Sequence, residues 1–164
     1  MYNVAVVGAT GMVGRKMLEI LEEYNFPVKS LSLFASARSA GEKVSWKNKD
    51  YTVETLNENS FDRPLDFAFF SAGGQISTTF APIAEANGVI VIDNSSAWRM
   101  DPRIALIVPE VDFADLDLDK AKIIANPNCS TIQSVLPLKA LAEKFTLKRV
   151  AYTTYQAVSG SGQK

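Results

Sequence analysis

The chain has 164 residues, of which 47% are hydrophobic and 21% charged, and its formal net charge is -1. This balance predicts a soluble globular protein of about one domain and argues against intrinsic disorder. A chain without a basic excess is a poor nucleic-acid partner, and no apolar run approaches the roughly 18 residues of a membrane span. Residues 1–14 have no positively charged segment, so we expect neither a signal peptide nor a membrane partner.

The single cysteine and the lack of histidine limit the available chemistry. One cysteine cannot form an internal disulfide, which favours a reducing compartment such as the cytoplasm. Histidine is the commonest general base near neutral pH, so proton transfer would need another group or a longer chain. We predict no metal site.

Residues 4–14, VAVVGATGMVG, predict a strand, a tight turn and a helix. The apolar run at 4–7 is too short for a helix and ends on glycine, which is typical of a buried parallel strand. The apolar residues that follow have helical spacing until Asn25 and Pro27 end the helix. The residues expected on its buried face are Met12, Val13, Met17, Leu18, Leu21 and Tyr24.

Three glycines at this junction have the spacing G-x-x-G-x-x-G. We expect Gly8 to allow the turn, Gly11 to let a pyrophosphate approach the backbone, and Gly14 to let helix and strand pack closely. The free N–H groups at the positive end of the helix favour phosphate. The alternative is a glycine turn without a ligand, but the flanking strand and helix favour a dinucleotide site.

The segment after the second predicted strand, residues 31–35, indicates which dinucleotide binds. An acidic residue there holds the ribose of NAD, whereas an arginine suits the 2′-phosphate of NADP. No acidic residue occurs between Lys29 and Gly41, and Arg38 lies between Ser36 and Ser39. A cation flanked by hydroxyls fits a phosphate monoester, so we predict NADP. The alternative is an ordinary solvated arginine.

The remaining patterns predict an α/β fold with a doubly wound, mostly parallel sheet. Buried strands are expected at residues 65–70, 89–92 and 122–125, edge strands or a hairpin at 44–53, and a helix at 75–87. This helix is expected to have Ser77 or Thr78 as its cap and Pro82 in or near its first turn.

The turn that follows residue 70 is small and rich in glycine. It contains Ser71, Ala72 and Gly73 at the carboxyl end of a predicted parallel strand, where such folds keep their ligand crevice. We predict that these three residues contact the cofactor. The alternative is a purely structural turn.

Two later polar segments carry candidate reactive groups. Arg99 could clamp an anionic substrate through its planar guanidinium, with an exposed ion pair as the alternative. Cys129 is placed at or just before a helix N-terminus, where the helix dipole favours a nucleophilic thiolate. The alternative for a single cysteine is a small buried hydrophobe. Beside a nicotinamide, a nucleophilic thiol predicts attack on an aldehyde and an acyl-thioester product.

Six motifs together resemble aspartate-semialdehyde dehydrogenase of the bacterial type. They are GATGMVG at 8–14, SARSAG at 36–41, FSAGG at 70–74, DNSSAWRM at 93–100, NPNCST at 126–131 and YQAVSGSG at 155–162. They span the chain in family order, and NPNCST is the most specific. An N-acetyl-glutamyl-phosphate reductase stays an alternative, although that family typically has glycine where this chain has Asn128. A nucleotide-binding module without chemistry is a second alternative.

The resemblance implies a role for each matching residue. Cys129 would form the acyl-enzyme, Gln156 would orient the substrate, and Arg99 would bind phosphate, with Asn128 as a further candidate for substrate or phosphate binding. The residues expected to contact NADP, either from the patterns above or from the resemblance, are Gly8, Thr10, Gly11, Met12, Val13, Gly14, Arg38, Ser39, Ser71, Ala72, Gly73, Ser159 and Gly160. The implied reaction interconverts aspartyl phosphate and aspartate semialdehyde, with inorganic phosphate as a co-substrate. It would serve the synthesis of diaminopimelate, lysine, threonine, methionine and isoleucine.

Two domains are predicted. Residues 1–128 would form an NADP-binding Rossmann-like domain, and residues 129–164 would begin an α+β catalytic and dimerisation domain whose first strand lies at 151–157. Family members are about twice this length and keep their histidine base in the second half. The resemblance therefore implies a truncated chain with negligible turnover by itself, and a cytoplasmic parent that forms a homodimer or homotetramer.

Overall fold

Residues 1–120 and 122–155 are described by the computed structural model. Contacts along the chain divide it into two compact units, Met1–Pro127 and Asn128–Lys164. The assignment of these units as a nucleotide-binding domain and the start of a catalytic domain stays a prediction. No helix in the described ranges is long and apolar enough to cross a membrane.

Eight strands of the first unit form one sheet. They are β1 Tyr2–Val7, β2 Val28–Ala35, β3 Lys43–Trp46, β4 Lys49–Thr55, β5 Phe67–Phe70, β6 Ile90–Asp93, β7 Ala105–Leu106 and β8 Ile123–Ala125. Their spatial order is β3-β4-β2-β1-β5-β6-β8-β7, and every neighbouring pair is parallel except β3 and β4. The predicted doubly wound, mostly parallel sheet is confirmed, as is the hairpin at its edge.

The described residues contain four α-helices: α1 Met12–Glu23, α2 Gly74–Ala86, α3 Pro109–Asp112 and α4 Cys129–Ala142. Short 3₁₀ turns occur at Ala37–Ser39, Glu58–Phe61 and Phe113–Asp115. Successive side chains of a strand point to opposite faces of a sheet. Val4 and Val6 of β1 accordingly share a core with α1, while Ala5 and Val7 share another with α2. The two helices therefore cover opposite faces of the sheet.

The buried stripe of α1 is narrower than its apolar spacing predicts. Gly14, Leu18 and Leu21 are buried, at the i, i+4, i+7 positions of one helical face. The predicted burial of Met12, Val13 and Tyr24 is wrong, because their exposed fractions are 62%, 44% and 77%. Contact through Gly14 brings the start of the helix close to the preceding turn, and this contact fixes which face the helix buries.

The start of α2 also differs from the prediction. The helix begins after Gly73, which has a φ of +86° and provides no side-chain cap. Ser77 is instead buried and accepts a hydrogen bond from the indole N–H of Trp98 at 2.8 Å. Thr78 donates its hydroxyl to the carbonyl of Gln75, so neither predicted residue is the cap. Pro82 lies well inside the helix and not in its first turn.

The second unit contains α4, whose first residue is Cys129. The strand predicted at 151–157 is not formed over residues 151–155, and residues 156 and 157 lie outside the described ranges. A strand requires a partner to bond its backbone N–H and C=O groups, and the sequence pattern alone does not supply one.

We predict that Gly14→Ala destabilises the first unit. A Cβ atom at this position would lie 2.2 Å from the backbone carbonyl oxygen of Gly8, far inside van der Waals contact. Relief requires a shift of α1 away from β1, so we expect the free energy of unfolding to fall by roughly 1–3 kcal/mol. Urea denaturation followed by circular dichroism measures this change.

Gly74→Ala is the matched control, since a Cβ there would meet only the Cβ of Ala97 at 3.9 Å. Alanine at this helical position should leave stability unchanged or raise it slightly. Equal stability of the two variants would contradict the close packing at Gly14.

Candidate dinucleotide and thiol sites

The strand order of the sheet reverses at β1: β2 to β4 lie on one side of this strand, and β5 to β8 lie on the other. This strand has β2 on one side and β5 on the other, so the loops that follow β1 and β5 flank one crevice at their carboxyl ends. Parallel α/β sheets bind ligands at such a point. The backbone N–H of Ser71 donates to the carbonyl of Val7 at 2.8 Å, and the N–H of Gly8 donates to the carbonyl of Phe34 at 2.8 Å. The turn after β1 is thus held from both sides.

Gly8 is required by both its conformation and its packing. Its φ is +88°, and a Cβ atom there would lie 2.4 Å from the carbonyl oxygen of Ser71. Gly14 is required by packing against Gly8 itself. These two glycines behave as the sequence predicts, with Gly8 in the turn and Gly14 at the contact between helix and strand.

Gly11 differs from the other two glycines. It is exposed, and a Cβ atom there would meet only the carbonyl oxygen of Gly8, at 3.3 Å. It also begins α1 without a side-chain cap, so the N–H groups of the first turn have no side-chain acceptor. An exposed backbone and unused N–H donors at the crevice fit a dinucleotide pyrophosphate. Met12 and Val13, also predicted to contact NADP, are exposed in this first turn.

The loops after β1 and β2 meet through two hydroxyls. Thr10 Oγ1 lies 3.5 Å from Ser39 Oγ, at the limit of a hydrogen bond. Arg38 is exposed in the adjoining 3₁₀ turn, and it forms no ion pair with any described carboxylate. The structure therefore brings together three residues predicted to contact NADP, of which Arg38 and Ser39 were predicted for its 2′-phosphate.

The loop after β5 supplies a second wall of the same crevice. Ser71 is half-buried against Gly8, while Ala72 and Gly73 are exposed. No described atom lies within 4 Å of a Cβ built on Gly73. The need for glycine at this position is therefore explained by the positive φ and not by close packing. Gly73 is exposed at the start of α2.

Arg99 is held by backbone carbonyls and has no carboxylate partner among the described residues. Its Nε donates to the carbonyl of Asn126 at 2.9 Å, and its Nη2 donates to the carbonyl of Asn94 at 3.2 Å. The neighbouring Arg103 is different: its guanidinium bonds Asp101, and this hydrogen bond lowers the pKa of Asp101 to about 2. Arg99 keeps its charge uncompensated, which suits an anion.

Asp93 is a residue that the sequence reasoning missed. It ends β6 and is fully buried, with Oδ2 accepting from the hydroxyl of Ser95 at 2.6 Å. Its Oδ1 has no hydrogen-bond partner among the residues that the structure describes. Ser95 Oγ in turn accepts the backbone N–H of Ala97 at 3.1 Å. The carboxylate thereby fixes the start of the loop that carries Arg99. The only sequence signal was an acidic residue directly after the apolar run of β6.

Cys129 is exposed as the first residue of α4. Asn128 caps this helix, because its side-chain oxygen accepts the backbone N–H of Ser130 at 2.9 Å. The cap leaves the side-chain NH₂ of Asn128 for another partner. Exposure at a capped helix start agrees with a thiol that meets a ligand and not with a buried core cysteine.

Several predicted residues and groups are not placed by the structure. Gln156, Ser159 and Gly160 lie outside the described residues.

Within the described ranges, no group of three or more His, Cys, Asp or Glu side chains could hold a metal ion.

Comparisons with known proteins agree on one family. The family model "Semialdehyde dehydrogenase, NAD binding domain" matches residues 3–118. The chain is 58% identical over 165 residues to aspartate-semialdehyde dehydrogenase of Aquifex aeolicus, covering 99% of this chain and 48% of that protein. It is 51% identical over 162 residues to the Bacillus subtilis protein of that name, covering 99% of this chain and 46% of the relative. The chain thus spans about half the length of the curated relatives it matches.

Solved structures give the same result. Aspartate semialdehyde dehydrogenase II from Vibrio cholerae, complexed with ASA, has a TM-score of 0.83 and 46% identity, over 88% of this chain and 47% of that one. The Candida albicans enzyme with NADP has a TM-score of 0.76 and 27% identity, over 88% and 48% of the two chains. Because the family model matches residues 3–118, the chain belongs to the semialdehyde dehydrogenase family and contains its NAD-binding domain.

Proposed function

We propose that this chain is the N-terminal part of an NADP-dependent, phosphorylating aspartate-semialdehyde dehydrogenase. One observation carries the proposal: the chain has an exposed thiol at the start of α4, and its first unit forms a sheet whose crevice fits a dinucleotide. The 58% identity to the Aquifex aeolicus protein supports the choice of substrate. The reaction would interconvert aspartyl phosphate and aspartate semialdehyde.

NADP is the proposed cofactor, and it would supply or accept the hydride when bound. The uncapped first turn of α1 and the backbone at Gly11 would hold its pyrophosphate. Arg38, Thr10 and Ser39 would hold the 2′-phosphate, because a guanidinium and two hydroxyls offer donors and no competing carboxylate. The second wall, from Ser71 to Gly73, would exclude water from the crevice.

Cys129 is proposed to carry the acyl group. Its sulfur would attack the acyl carbon of aspartyl phosphate, forming a C–S bond as the bond from that carbon to the phosphate oxygen breaks. Arg99, which has carbonyl partners but no anionic one, would bind the departing phosphate or the phosphate that attacks in the reverse direction. Asn128 and Gln156 would complete the substrate contacts, and Ser159 and Gly160 the cofactor contacts.

A 164-residue chain without histidine offers no imidazole to move the proton at the thiol. We therefore propose that the chain alone binds NADP with negligible turnover, and that the base belongs to a longer parent. That parent would act in the cytoplasm as a homodimer or homotetramer. It would serve the synthesis of diaminopimelate, lysine, threonine, methionine and isoleucine.

Arg38→Asp tests the cofactor. The substitution replaces a guanidinium that donates hydrogen bonds to the phosphate with a carboxylate that repels it. Each hydrogen bond to a charged group contributes about 1.5–3 kcal/mol, so we expect the affinity for NADP to fall at least tenfold. NAD affinity should change much less, because NAD has no 2′-phosphate. Isothermal titration calorimetry with both nucleotides measures the difference. Lys29→Asp is the control, with the same charge change at the opposite end of β2. Equal losses for NADP and NAD would refute the assignment of the 2′-phosphate.

Cys129→Ser tests the covalent step. In a full-length parent, which would supply the base, incubation with aspartyl phosphate should give a hydroxylamine-sensitive adduct at Cys129 that is absent from the serine variant. The dissociation constant for NADP should stay within about twofold, because the thiol is proposed to meet the substrate and not the cofactor phosphates. Intact-mass spectrometry detects the adduct. An adduct that persists in the serine variant would show that another residue is acylated.

A further inference from the structure

Arg15 lies beside the loop that the sequence assigns to NADP, although the sequence reasoning gave it no role. It is the fourth residue of α1, and its Nε donates to the carbonyl of Thr10 at 3.2 Å. The hydroxyl of the same Thr10 lies 3.5 Å from that of Ser39. A continuous set of contacts therefore runs from Arg15 through Thr10 to the turn that carries Arg38.

The flank of α1 on which Arg15 lies is the one that faces the β2 side of the sheet. A surface cavity of about 190 Å³ on this flank is lined by Arg15 together with Val44, Ser45 and Trp46 of β3. Lys16, the next residue, lines a different cavity with Phe69 of β5. Because β2 and β5 are on opposite sides of β1, Arg15 faces the Arg38 side and Lys16 faces away from it.

The charge of Arg15 is not neutralised by any described carboxylate. Two acidic residues, Glu19 and Glu22, line the same cavity, but each has another partner. Glu19 binds the ammonium of Lys16 at 2.6 Å, and Glu22 accepts the backbone N–H of Lys47 at 3.3 Å. With Nε bonded to Thr10, the Nη groups of Arg15 make no hydrogen bond within the described residues.

We propose that Arg15 is a second cationic ligand of the 2′-phosphate and sets the preference for NADP over NAD. This inference rests on the proposed binding of NADP. A phosphate monoester carries nearly two negative charges at neutral pH, so the guanidinium of Arg38 alone balances about half of them. Arg15 adds a planar group whose orientation is already set by Thr10, and such a preorganised fork suits phosphate oxygens.

The test compares Arg15→Gln with Lys16→Gln, which makes the same charge change one residue along on the other flank of α1. Calorimetry measures the binding of NADP, NAD, 2′-AMP and 5′-AMP to the chain, and circular dichroism verifies the fold of each variant. We expect Arg15→Gln to weaken NADP and 2′-AMP about tenfold and to leave NAD and 5′-AMP within twofold. Lys16→Gln should leave all four within twofold, and Arg15→Lys should recover part of the NADP affinity.

The outcomes distinguish failure of the proposed role of Arg15 from failure of the proposed NADP binding. If the unaltered chain prefers NADP and Arg38→Asp removes that preference while Arg15→Gln does not, only the role of Arg15 is wrong. If Arg15→Gln and Lys16→Gln weaken NADP binding equally, the loss reflects the overall charge of the protein. That result would also overturn the proposed role of Arg15. If the unaltered chain binds neither dinucleotide, the proposed NADP function fails as well.

Discussion

Close backbone contact at the carboxyl end of β1 is the constraint on which the dinucleotide site depends. The turn at Gly8 has the start of α1 on one side and the backbone of Ser71 on the other, both too near for a side chain. Hydrogen bonds from Gly8 to Phe34 and from Ser71 to Val7 join this turn to the ends of two neighbouring strands. The helix start is thereby fixed above the strand ends, where its unused N–H groups can meet an anion.

The three arginines proposed to bind phosphate have no ion-pair partner among the described residues. Lys16, Arg63, Arg103 and Lys120 each have a carboxylate within 4.0 Å. At least one side chain of each pair is well exposed to solvent, so each ion pair stabilises the fold only modestly. Arg15, Arg38 and Arg99 have no such partner among the described residues. Cations kept free of carboxylates bind phosphate without first breaking an ion pair. Within the described residues, no ion pair is formed either by Lys29, Lys43, Lys47, Lys49 and Lys122. Freedom from carboxylates is therefore compatible with phosphate binding but does not by itself mark the crevice.

The loop after β6 owes its shape to a buried acid. Asp93 has no exposed surface, and one of its oxygens fixes Ser95, which in turn holds the backbone at Ala97. Trp98 is anchored on the other side by its bond to Ser77 of α2. Arg99 follows this anchored segment, and two carbonyls orient its guanidinium. A buried carboxylate is costly, so its presence here marks a loop whose position matters.

The sequence by itself determined the main strands and helices, although not β7 and α3, together with the three glycines and the place of Cys129 at a helix start. These features are local: short apolar runs, helical spacing and glycine at a turn act over a few residues. Tertiary structure decided what depends on distant neighbours. Ser77 became a buried partner of Trp98 and not a helix cap, and Met12 became exposed because Gly14 sets the face of α1. The contacts of Asp93 and Arg15 likewise follow from the meeting of loops, which no local pattern encodes.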